Sequence, residues 1–312
     1  MMLSASTPVN QGMTRDVVAR DSFGRVYNLR DGSGLPVGMT FSRASSGAVW
    51  TAAGVLGKMS TNLPRFDRVP ATGVPRGLLV EQGTTNYFRA SHDAHNAWWS
   101  KGGITTSPAS MTAPDGTTGM VKLTEDTSTG VRHGLSRALT VTAGDYWVIS
   151  GYVKAGERDR MALYCRDSTS ANKVYVRFDI TNVGIVNSGV TGTAVLNDYG
   201  IEPVGNGICR IWMAGRTGAT DTSLVFEYQL VSGTTNIYDG NGTSGAYVWG
   251  MQLELRTTAD HVTSYIENTG TSADVARSGD VLTVTDLGTL GYNPAKGTMV
   301  VEFMLGAVGV LS

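Results

Sequence analysis

Charge is scarce in this chain. Only 16% of its 312 residues are Asp, Glu, Lys or Arg, and 25 cations nearly balance 26 acids, for a net charge of −1. No basic run occurs, so the chain lacks the electrostatic footprint that nucleic acid or an anionic membrane surface would need. Cysteine is nearly absent as well. Cys165 and Cys209 have no CxxC spacing and no neighbouring histidine, which excludes a disulfide framework. They read as free core thiols, a single bridge being the alternative. The most apolar late stretch, Phe303 to Leu311, is too short to span a bilayer. The opening "MMLSASTPVNQGMTRDVV" has no secretory apolar core, which predicts a soluble protein made in the cytoplasm. Helical periodicity is nearly missing: "ASHDAHNAWW" at 90 to 99 offers one to two turns at most. No Walker or dinucleotide fingerprint is present, and "GTSGA" lacks the G-x-S-x-G spacing of a nucleophile elbow.

What is abundant is glycine, at 40 residues, with serine and threonine throughout, a mix suited to short strands joined by tight turns. From about 90 to 270 period-two alternation recurs. "KVYVRFDI" sets Val174, Val176, Phe178 and Ile180 against Tyr175, Arg177 and Asp179. "DYWVISGYVKAG" sets Trp147, Ile149 and Val153 against Tyr146, Ser150, Tyr152 and Lys154. "SLVFEYQLV" puts Leu224, Phe226, Tyr228 and Leu230 opposite Glu227 and Gln229. "AYVWGMQLEL" puts Tyr247, Trp249, Met251 and Leu253 opposite Gly250, Gln252 and Glu254. Eight or so such strands predict an all-β fold, an antiparallel β-sandwich of jelly-roll type.

Residues 1 to about 90 are broken by turn clusters and read as an extended, mostly irregular arm (1–40) and a connector (41–90). The sandwich follows over 91–270. Residues 271–312 read as a linker, then "VLTVTDLG" and "KGTMVVEFML" as first strands of a further β domain.

An ordered series of pieces is familiar: "FSRASSGAVWTAAGVL", "LPRFDRVPATGVPRGLLVEQGTTNYF", a Trp pair, "APDGTTGMVKLTED", "YWVISGYVKAGER", "GNGICRIWM" and "GTSGAYVWGMQLEL". Spread over about 40 to 270, it resembles bacteriophage virion proteins of the tail-fibre and head-spike type that carry a carbohydrate-binding-like jelly roll. The resemblance implies a structural virion subunit, an N-terminal arm attached to other virion proteins, and a jelly roll presented to host-surface glycan. It implies a homotrimer, since fibres are usually threefold and the arm cannot bury itself. It also raises a structural calcium, for which Glu81, Asp115 and Glu254 are the weak ligand candidates. The alternatives are a polysaccharide-degrading tailspike and a secreted carbohydrate-binding module; the first wants a long β-helix repeat and the second a signal peptide.

Sugar recognition uses aromatic rings against pyranose faces and planar polar groups for hydroxyls. Tyr164, Arg166, Tyr175, Arg177, Glu227 and Gln229 supply that chemistry from the polar sides of strands, with Trp98, Trp99 and Trp212 as further stacking surface. Hydrolysis would need two carboxyls roughly 5 to 9.5 Å apart, and nothing in the spacing of Glu81, Asp179 and Glu227 fixes such a pair. The chain is therefore expected not to be an enzyme. Glu81, after the apolar "GLLV", is expected to satisfy a turn or an arginine. His92 and His95 share the spacing of one helical face, but His133 and His261 offer no further ligands, so the pair reads as surface.

Overall fold

Turn residues divide the chain into short strands, and no helix forms among the described residues. The computed structural model describes residues 18–20, 26–29, 34–35, 37–216, 218, 220–256 and 262–284. "KGTMVVEFML" and His261 lie outside them, as does much of the arm. The described residues form two units, one of residues up to Gly83 with the segment 277–284, the other of Thr84–Ala276.

In the first unit, β1 (Val18–Arg20) pairs antiparallel with β2 (Val26–Asn28). β3 (Met39–Ser42), β4 (Gly47–Trp50), β5 (Leu56–Met59), β6 (Arg65–Arg68) and β7 (Pro75–Leu79) follow, with hairpins β4–β5 and β6–β7. These strands are short, in keeping with the broken sequence, but charge orders them. Arg43, Arg65 and Arg277 are 1%, 0% and 2% exposed. Arg43 Nη1 meets Asp280 Oδ1 at 3.1 Å, and Arg65 Nη2 meets the other Asp280 oxygen. Glu81 Oε2 lies 2.9 Å from Arg65 Nη1 and 3.4 Å from Arg277 Nη2. Glu81 therefore holds arginines, as expected. Val281–Val284, the "VLTV" read as a first strand of a further β domain, pairs antiparallel with β3 of this unit.

The second unit begins with β8 (Thr84–Asn86). Its sandwich comprises β9 (Ser100–Gly102), β10 (Ile104–Thr106), β11 (Met111–Thr112), β12 (Thr118–Glu125), β13 (Gly134–Thr140), β14 (Tyr146–Ala155) and β15 (Arg160–Asp167). It continues with β16 (Lys173–Asp179), β17 (Gly184–Thr191), β18 (Val195–Gly205), β19 (Ile208–Arg216), β20 (Ser223–Val231) and β21 (Gly245–Arg256). β22 (Val275–Arg277) returns to pair with β8. One sheet runs β10-β12-β21-β14-β19-β18 with β11 on β12, the other β17-β16-β15-β20-β13-β9. Their pairings are antiparallel, which gives the expected jelly-roll sandwich.

The core is built from the residues whose alternation points inward: Trp147, Ile149 and Val153, Met161 and Leu163, Val174, Val176 and Phe178, Phe226, Tyr228 and Leu230. Each large apolar side chain so buried contributes about 1.5–3 kcal/mol. Cys165 and Cys209 are buried free thiols in the same core. Burial pushes Cys165 well up and Cys209 to about 11, so neither is a nucleophile at neutral pH.

Three expectations need correction. Residues 90 to 99 are successive turns, not a helix, because Asp93 and Asn96 accept the backbone N–H two residues on, at 2.9 Å each. Trp249 and Tyr247 do not share a face with Met251 and Leu253. Gly250, with φ +61°, and Met251 both oppose Gly151, a bulge that shifts the alternation of β21 by one residue. Gln252 and Glu254, on the polar side of β21, are 0% exposed, because residues 263 to 266 cover them. Thr263 Oγ1 donates to Glu254 at 2.8 Å, and the Ile266 N–H donates to Gln252 at 2.6 Å. Tyr228 crosses the core to donate its hydroxyl to Ser150 O beside the bulge, at 2.6 Å.

Candidate functional site

The outer face of the sheet containing β15, β16 and β20 carries three registered rows. Gln229, Ala162, Arg177 and Asn187 lie side by side, then Glu227, Tyr164, Tyr175 and Gly189, then Val225, Arg166, Lys173 and Thr191. Period-two alternation forces this, since Met161, Leu163 and Cys165 turn inward between Ala162, Tyr164 and Arg166. All six strand residues read from the sequence as sugar contacts, Tyr164, Arg166, Tyr175, Arg177, Glu227 and Gln229, therefore meet on one face.

Arg166, Glu227, Gln229, Tyr164 and Arg177 form a continuous hydrogen-bonded chain through Asn236. Arg166 Nε donates to Glu227 Oε1 at 2.7 Å, and the Gln229 amide donates to the other Glu227 oxygen. Asn236 Nδ2 donates to Gln229 Oε1 at 2.6 Å. Asn236 Oδ1 accepts from the Tyr164 hydroxyl at 3.0 Å and from Arg177 Nη2 at 2.8 Å. Arg177 Nη2 also donates to the Tyr164 oxygen at 2.8 Å, while Nη1 donates to Asn187 Oδ1 at 3.1 Å. Burial pushes the Tyr164 hydroxyl above its ordinary value, with Arg177 pulling partly against it, so the phenol stays a donor at neutral pH.

The rings add an apolar element. Tyr164 and Tyr175 stack with centroids 5.0 Å apart and planes 12° from parallel. The Arg177 guanidinium carbon lies 4.6 Å from the Tyr175 centroid, and that of Arg132 lies 6.0 Å from the Tyr164 centroid. Tyr175 lies over Gly189, where a Cβ would come within 2.6 Å of its Cε1. Tyr164, Glu227, Gln229 and Asn236 are buried, whereas Tyr175, Arg132, Arg166 and Arg177 are half-buried and form the rim. A ligand would meet that rim, with the buried amides and Glu227 holding its geometry.

Other expected residues lie elsewhere. Trp99 is 3% exposed in the core, donating its indole N–H to Ala90 O, and offers no stacking surface. Trp98 packs edge-on against Phe88 and Trp99 beneath the Arg137 guanidinium, 4.3 Å from its centroid. Trp212 is on the other sheet, over Gly200, with its N–H on Asp198. Among the weak calcium candidates, Asp115 accepts from Thr117, Glu254 from Arg256, Gln252 and Thr263, and Glu81 pairs with Arg65 and Arg277. Among the described residues no group of three or more His, Cys, Asp or Glu side chains is placed to hold a metal. His95 Nδ1 pairs with Thr106 Oγ1 at 2.9 Å. Asn236, Asn187 and Arg132 belong to the face but were not read from the sequence. Asn236 and Arg132 lie on loops and carry no alternation, and Asn187 sits in a weakly patterned edge strand.

The remaining face acids are tied to arginines. Arg160 Nη2 lies 3.3 Å from Asp179 Oδ2. Burial pushes Asp179 up, but the Asn182 and Arg160 hydrogen bonds outweigh it and hold the carboxyl below its ordinary range.

No family model and no curated protein matches the chain. Among solved structures, it is similar to the enzymatically active domain of bacteriophage CBA120 tailspike protein 4. The identity there is 12%, over 55% of this chain and 21% of that one, with a TM-score of 0.33. The CBM22-1 xylan-binding domain of Paenibacillus barcinonensis Xyn10C is 12% identical over 58% of this chain and 100% of that one, with a TM-score of 0.33. A carbohydrate-binding module from Cellvibrio mixtus lichenase 5A, in complex with cellotriose, is 8% identical over 58% and 99%, with a TM-score of 0.25. The chain thus spans about a fifth of the tailspike domain's length. Likenesses this distant leave the question of ligand to this chain's own residues.

Proposed function

We propose that the chain is a bacteriophage virion structural protein, a fibre or spike subunit whose sandwich contacts host-surface glycan without making or breaking bonds. The observation that carries the glycan part is the outer face of the β15–β16–β20 sheet. There stacked tyrosines and a rim of arginines stand on a network of buried amides and one carboxylate. Such a face has both requirements of sugar recognition, a ring and fixed planar polar groups. The ordered motif series over about 40 to 270 supports the virion part. In this reading the N-terminal arm attaches to other virion proteins and the subunit is a homotrimer. The absence of catalysis is supported by Asp179, whose carboxyl is held below its ordinary range beside Arg160 and is so poorly suited to act as a general acid.

A glycan array probed with the full chain, with Tyr175→Ala and with Arg177→Ala, tests the reading. Wild type is expected to bind a subset of glycans, and each variant to lose about tenfold or more. Binding that both variants retain in full overturns the assignment of the face. Release of reducing ends from bound polysaccharide makes the chain an enzyme of tailspike type. A monodisperse monomer in light scattering removes the homotrimer.

A further inference from the structure

We infer that the face prefers an anionic saccharide, one carrying a carboxylate or a phosphate ester, bound between Arg132 and Arg177; this rests on the glycan reading above. Both guanidinia flank one residue, Tyr164: Arg177 Nη2 donates to its hydroxyl and Arg132 lies over its ring. Arginine stays charged at any working pH, so two positive charges converge here. The two arginines of β15 each have a carboxylate: Arg160 has Asp179 and Arg166 has Glu227. Arg177 has neutral partners, Asn187, Asn236 and Tyr164, and its Nε is buried without a hydrogen bond. For Arg132, among the described residues, the one recorded contact is the Tyr164 ring.

Half-burying a guanidinium strips part of its hydration, and a carboxylate or phosphate is the group that restores it best, through paired charge-assisted hydrogen bonds. The chain as a whole is at −1, so the positive spot is local rather than a general attraction for anions. The half-buried Tyr175 ring beside it supplies an apolar platform, which a bare inorganic anion would not use. A pyranose bearing an acid uses both.

Matched probes test this on the full chain by calorimetry. Trigalacturonate is compared with its methyl ester, and glucose 6-phosphate with glucose, each at low and at raised salt. The expected result is at least about tenfold tighter binding of one acid over its neutral partner, narrowing as salt screens the charge. The pair that shows the preference separates carboxylate from phosphate. Arg132→Ala is expected to abolish most of that preference. Lys154→Ala, which removes a charge from the other sheet, is expected to change nothing. Equal binding of acid and neutral partner in both pairs overturns the inference and leaves the glycan reading intact. A preference that Lys154→Ala reduces as much as Arg132→Ala also overturns it, by making the attraction diffuse. No binding of any saccharide, on the array or here, overturns both.

Discussion

Gly189→Ala perturbs the candidate face without removing one of its polar groups. The new Cβ would sit 2.6 Å from Tyr175 Cε1 and 2.7 Å from its Cζ and hydroxyl oxygen, so the ring must move. The obstructing atoms are the far end of a half-buried side chain, which swings outward more readily than backbone yields. Leaving Tyr164 forfeits about 0.5–1.5 kcal/mol of ring stacking, and leaving the Arg177 guanidinium about 0.5–1 kcal/mol more. Against this, alanine in a strand is better than glycine by roughly 0.5–1 kcal/mol. The net cost is about 0–2 kcal/mol. Urea unfolding followed by tryptophan emission should therefore shift only modestly. Ring-to-ring NMR contacts between Tyr164 and Tyr175 should vanish, and binding of any glycan found on the array should weaken about tenfold. A loss above about 3 kcal/mol would mean that Tyr175 is a structural pillar. Intact ring contacts with intact binding would mean that the stack plays no part in recognition.

Gly250→Ala places a side chain at φ +61° and a Cβ 2.8 Å from Tyr152 Cδ2. A left-handed penalty of about 1–2 kcal/mol with overpacking of about 1–3 kcal/mol should be measurable as a lowered urea midpoint; an unchanged midpoint contradicts the bulge. Glu81→Gln leaves Arg43, Arg65 and Arg277 facing one carboxylate, and is expected to cost about 3 kcal/mol. Hydrogen exchange over β4 to β7 reads that loss, with protection equal to wild type as the contrary result. Acid sensitivity should centre on Glu125. Burial pushes its carboxyl up, but the paired Arg158 hydrogen bonds, the Asn241 N–H and the Tyr238 hydroxyl outweigh it and hold it below its usual range. Because the folded value is the lower one, its contribution is complete above the unfolded value of about 4.3 and is lost as pH falls through the folded value. Thermal melts should thus be level above about pH 5 and fall below it, and Glu125→Gln should flatten that fall; an identical acid limb in the variant would exclude Glu125 as its source.

The sandwich was legible because its strands obey a period of two and its core is apolar, so Val174, Val176 and Phe178 announce one face and Tyr175 and Arg177 the other. The same rule failed at Gly250, where one bulge residue exchanged the faces of Trp249 and Met251; a lone glycine in a strand was the available signal. It failed again for Gln252 and Glu254, because polarity marks solvent only where no later segment folds over it. In the first unit the rule had little to act on, since Arg43, Arg65 and Asp280 occupy positions where apolar residues are usually sought. The six strand residues of the candidate face came from alternation plus chemistry. Arg132 and Asn236 did not, because a loop residue's place depends on where its loop folds.

The most direct test of the account maps a bound saccharide on the protein. Arginine Nε and backbone amide NMR shifts of the full chain would be followed as the tightest-binding glycan from the array is added. The account predicts saturable shifts concentrated on Arg132, Tyr175, Arg177 and Asn187, with Asn236 responding behind them. Shifts gathered around Trp212 on the opposite sheet, or the lack of any saturable shift, would contradict it.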